Sequence, residues 1–124
     1  MSNKIIKLNR CDSWEHIITI PKKEKPFENY LLKATDVLYF ALLYPNQPFE
    51  DAIIVKGYTH DDQNIETGEI TLTLTPNETK CLTPGIYYYT TKLQRGGTLE
   101  VLGDFDNATE VRTITERTKF IINE

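Results

Sequence analysis

Two histidines sit beside carboxylates in this chain: His16 follows Glu15, and His60 precedes Asp61 and Asp62. A His–carboxylate pair can orient a general base, but covalent catalysis also needs a nucleophile within hydrogen-bond reach. The sequence has no nucleophile elbow and no HExxH pattern. Each histidine is therefore expected as a surface or half-buried side chain. Residues 60–66 (His-Asp-Asp-Gln-Asn-Ile-Glu) and 104–110 (Asp-Phe-Asp-Asn-Ala-Thr-Glu) are rich in hard oxygen donors, the ligand type of calcium. Neither has the spacing or the mid-loop glycine of an EF-hand. Solvated loops are expected, with weak divalent-ion binding as the rival reading. No catalytic residue, metal ligand set or cofactor is predicted.

The two cysteines, Cys11 and Cys81, form no CxxC and have no histidine nearby, so zinc has no support. A disulfide between them cannot be deduced. Residues 1–20 show no basic segment leading into a long apolar one, and no apolar stretch approaches the length of a bilayer span. The expectation is a chain made in a reducing cytoplasm, with free thiols and no membrane partner. The sequons at Asn77 and Asn107 are then accidental. The glycines are scattered and form no phosphate-cradling loop. The net charge is −4, and the run Lys22-Lys23-Glu24-Lys25 contains its own acid, which disfavours nucleic acid. In Tyr87-Tyr88-Tyr89, alternation turns Tyr87 and Tyr89 inward and leaves Tyr88 exposed.

The elements that must position these residues read as strands. A chain of 124 residues with 40% hydrophobic and 26% charged content suits one globular domain over residues 1–124. Thirteen aromatics with many Thr, Ile and Val fit pleated, half-buried surfaces. Residues 5–8 (Ile5, Ile6, Lys7, Leu8) are an edge strand or an ordered tail within an N-terminal arm, 1–13. Residues 14–20 form a strand that Pro21 ends. Residues 30–32 are briefly extended. Residues 37–44 are apolar throughout, which predicts a central strand covered on both sides; helix is the rival reading. Residues 52–58 pair with them as a hairpin.

The polar loop 60–68 leads into the clearest strand, where Ile70, Leu72 and Leu74 alternate with Thr71, Thr73 and Thr75. Thr75-Pro76-Asn77-Glu78 has the form of a capping box and predicts one helical turn over 76–80. Thr83-Pro84-Gly85 is a tight turn into a strand over 86–93. Gly96-Gly97 turns into another strand, 98–102, and 104–108 is a loop. Residues 111–115 and 118–122 complete the set, as two strands or one with a bend. Many short strands and a single helical turn predict an all-β, two-sheet antiparallel sandwich; an open barrel is the competing architecture.

Residues 68–93 contain the skeleton Leu-Thr-Pro-x-x-Thr-x-x-Leu-x-Pro-Gly-x-Tyr-x-Tyr between two strands. This block resembles the immunoglobulin-like domains of tailed-phage and prophage structural proteins, especially the N-terminal domain of the baseplate upper protein family. Residues 30–40 are similar to that family's entry into its first central strand, and 118–122 to its closing strand. The family's Gly-Asp-Thr-like element is missing near residues 16–20, and no coiled coil or receptor-binding extension follows. The resemblance implies an immunoglobulin-like sandwich with a scaffolding role and no catalytic residues: a stand-alone module or small accessory protein of a virion, made in a bacterial host cytoplasm. Its partners would be other virion proteins and copies of itself in a symmetric homo-oligomer. Ile5, Ile6, Leu8 and Tyr88 are the candidate contact residues, with edge-strand pairing as one mode. A carbohydrate- or small-ligand-binding sandwich is the alternative, and an enzyme ranks third.

Overall fold

The computed structural model describes residues 5–96 and 110–124. It is an all-β sandwich of two sheets. The strands are β1 (Ile5–Asn9), β2 (Trp14–Ile18), β3 (Val37–Leu43), β4 (Ile54–Tyr58), β5 (Ile70–Leu74), β6 (Gly85–Arg95) and β7 (Glu110–Asn123). One sheet has the order β1-β7-β6-β3-β4, and the other is the pair β2-β5. In an immunoglobulin-type sandwich, the second and fifth strands pair in one sheet, and the third, sixth and seventh lie together in the other. The strands of this chain adopt that arrangement.

Alternation builds the core. Leu38, Phe40 and Leu42 on β3 meet Ile70, Leu72 and Leu74 on β5, together with Tyr87, Tyr89, Leu93, Phe120 and Ile122. Trp14 closes the space between the sheets, with ring centroids 5.4 Å from Phe120, 5.6 Å from Tyr89 and 5.9 Å from Phe40. Every residue of β3 is buried, because its outward residues Val37, Tyr39, Ala41 and Leu43 form a second cluster with Phe49. The continuous apolar run is thus a strand covered on both faces, as its composition predicts, and the helix reading is excluded.

The predicted helical turn is α1 (Pro76–Lys80), with both reciprocal bonds of the Thr75/Glu78 capping box in place. Two 3-10 turns, Phe49–Asp51 and His60–Asp62, accompany it. Tyr87, at the start of β6, donates its hydroxyl back to the Thr83 carbonyl. A tyrosine tied to backbone upstream at this corner is characteristic of immunoglobulin-type sandwiches. The closing segment is a single strand. Its pairing with β6 shifts register twice between Tyr89/Thr118 and Lys92/Thr113; the exposed Glu116 and Arg117 lie at the first shift and Ile114 at the second.

Residues 5–9 are not a free arm. They pair with β7 at the sheet's edge, and the pairing is parallel, the exception in an otherwise antiparallel sheet. The predicted strand at 98–102 and the loop at 104–108 lie outside the described residues.

Candidate binding end of the sandwich

His16 stacks on Trp14 at 5.9 Å. His60 Nε2 lies 3.4 Å from Asp61 Oδ1, with its side chain 47% exposed. Two of the oxygen donors of residues 60–66 shape their own loop. Asp62 accepts from the Thr59 amide at 2.9 Å, and Asn64 Oδ1 accepts from the amides of Glu66 and Thr67. Among the described residues no three His, Cys, Asp or Glu side chains gather as a metal site. Cys11 and Cys81 are both exposed and unpaired.

The sequence-predicted contact residues divide. Ile5 is 49% exposed, but Ile6 and Leu8 turn inward and pack against the core. The parallel pairing puts alternate side chains on the inner face, so these two are structural rather than free contacts. Tyr88 is half-buried rather than exposed, since it pairs between Leu43 on β3 and Lys119 on β7. Residue alternation identifies its face correctly, but its strand lies inside the sheet, where neighbours on both sides cover an outward ring.

The register places several loops at one end of the sandwich. Ile18 pairs with Ile70, so the segment after β2 and the segment before β5 lie together. Val37 pairs with Gln94, and Gln94 with Val111, so the start of β3, the end of β6 and the start of β7 lie together too. Gln63 laces the first two segments. It is 7% exposed, accepts from the Leu32 amide at 2.7 Å, and donates to the Tyr30 and Gly68 carbonyls at 3.0 and 2.9 Å. Asn29 donates to the Thr67 carbonyl at 2.9 Å. On these two laced loops Phe27 and Ile65 project into solvent, 86% and 79% exposed. Leu31, on the first of these loops, is 47% exposed. Sequence reasoning missed this group, because an apolar residue in a polar loop carries no periodic signal.

A charged network stands at the β6–β7 side of the same end. Arg95 lies over the Tyr30 ring at 5.3 Å and binds Glu110 at 2.9 Å. Lys23 reaches the other Glu110 oxygen at 3.0 Å. These cations, Lys23 first, hold the Glu110 carboxyl below its ordinary value. Tyr30 donates its hydroxyl to Asp36 at 2.5 Å, and Asp36 also accepts from the Lys33 amide. Burial, then the bond to Asp36, pushes the Tyr30 phenol up to about 12. At neutral pH Tyr30 is thus a neutral donor and not a base. Among the described residues this network consists of cations, carboxylates and a phenol, groups that bind and orient a ligand. Compared with known proteins, the chain matches no family model, no curated protein and no solved structure.

Proposed function

We propose that this chain is a non-catalytic assembly module of a tailed-phage or prophage virion, docking through the loop end of its sandwich and forming a closed homo-oligomer. The carrying observation is the exposure of Phe27 and Ile65 on two loops that buried hydrogen bonds hold together. Large apolar side chains kept rigidly in solvent favour a macromolecular partner, because covering them releases water without the entropy cost of ordering the loop. The resemblance of residues 68–93 to phage immunoglobulin-like domains supports the virion setting. The tyrosine corner at Tyr87 gives that block a structural purpose in such a sandwich. No exposed aromatic cluster occurs at this end among the described residues, which gives a stacking site for sugars no comparable support.

Two measurements test the proposal. Light scattering on the purified chain should report a defined oligomer, and Phe27→Ser combined with Ile65→Ser should reduce it to monomer without lowering its melting temperature. A monomeric wild type at high concentration overturns the homo-oligomer. Tail or capsid genes beside the coding sequence support the virion setting; a metabolic operon refutes it.

A further inference from the structure

Lys23, Lys33, Thr35, Arg95, Gly96 and Glu110 line an open pocket of about 630 Å³ at the loop end of the sandwich. Three cations face one carboxylate there, in a chain whose net charge is −4. Glu110 is shared between Lys23 and Arg95, so it neutralises neither completely. Among the described residues the Lys33 ammonium and the Thr35 hydroxyl have no hydrogen-bond or ion-pair partner, although both residues are exposed on the pocket wall. The other nearby carboxylate, Asp36, is only 2% exposed, and it is occupied by the Tyr30 hydroxyl and the Lys33 amide.

From this geometry we infer that the pocket binds the phosphoryl group of a small molecule. Phosphate oxygens accept from ammonium, guanidinium and hydroxyl donors at once, and these are the groups the wall supplies. Arg95 is held in place from two sides, by Glu110 and by the Tyr30 ring. Lys33 and Thr35 come from the loop that enters β3, two residues apart, so one anion can meet both. Charge attraction of this partly solvated kind gives millimolar affinity that weakens with salt. The site is separate from the Phe27–Ile65 surface, and neither reading requires the other.

Amide NMR titration of the full chain tests this, with inorganic phosphate, a hexose phosphate and the unphosphorylated hexose as probes. Saturable shifts at Lys33, Thr35 and Gly96 are expected with both phosphates and none with the hexose. Tighter binding of the ester than of the ion would assign an esterified ligand; equal binding would assign phosphate itself. Lys33→Gln should weaken binding about threefold, the range of one partly exposed charge. Glu110→Gln removes the competing negative charge but keeps an oxygen that can accept from Arg95, and should strengthen binding by a similar factor. The inference fails if neither phosphate saturates, if Lys33→Gln binds like wild type, or if Glu110→Gln binds more weakly.

Discussion

Gly68 shows how much one position can require of its residue type. Its φ is +76°, and a Cβ there would stand 2.9 Å from the Asn29 Cβ. A side chain would meet both left-handed backbone strain and a fixed neighbour, since Asn29 is tethered to the Thr67 carbonyl. Gly68→Ala should therefore cost about 1–2 kcal/mol of stability from backbone strain alone, read as a lower urea midpoint at unchanged slope. In the sequence this glycine merely ends a polar loop. The inward turn of Tyr87 and Tyr89 was legible, because strand alternation is local. The lacing role of Gln63 was not, because its partners Tyr30 and Leu32 lie more than thirty residues away. A glutamine among acids looks like any other solvated side chain until those partners are known. The same distance in sequence conceals the meeting of Lys23, Arg95 and Glu110.

At the scale of elements, β4 and β5 are fastened by side chains instead of a backbone ladder. Thr73 on β5 turns its amide and carbonyl away from β2; the Tyr58 hydroxyl accepts from the amide at 3.2 Å, and Lys56 Nζ donates to the carbonyl at 2.7 Å. Lys56 also binds Glu78 of α1 at 2.7 Å. An inward charge on an edge strand resists further strand pairing there. Burial raises the Glu78 carboxyl, but its bonds from Lys56 and from Thr75 prevail and leave it below the ordinary 4.5. Its folded value is thus lower than its unfolded one, so the stabilisation is complete above the ordinary value. It is lost as pH falls through the lowered one. Glu78→Gln should lower stability at neutral pH by about 1 kcal/mol and flatten the acid limb of a melting-temperature profile. An acid limb as steep as wild type would dissociate the pair from stability. The helix behind this pair was legible, since a capping box is a four-residue signal. The seating of β1 was not, because a parallel edge pairing depends on a partner at the far end of the chain.

Across the whole molecule, the core joins residues from nearly every strand, and its contacts are mostly non-local. Sandwiches of this kind fold in about milliseconds to seconds, slower than helical bundles, because each pairing first closes a long loop. Trp14, the sole tryptophan, packs on Phe40, Tyr89 and Phe120, so its fluorescence reports when the two sheets meet. Stopped-flow refolding should show that signal within this range; recovery in microseconds would mean that Trp14 docks before the sheets close. The parallel pairing of β1 with β7 adds an order of events. Ile5 lies opposite Lys119 and Leu8 opposite Ile122. On the ribosome, residues 5–9 emerge well before β7, the strand that receives them. Until then Ile6 and Leu8 have no core to enter. β1 is therefore the strand that waits longest for its partner, and until β7 is made it is a short greasy segment open to chaperones and proteases.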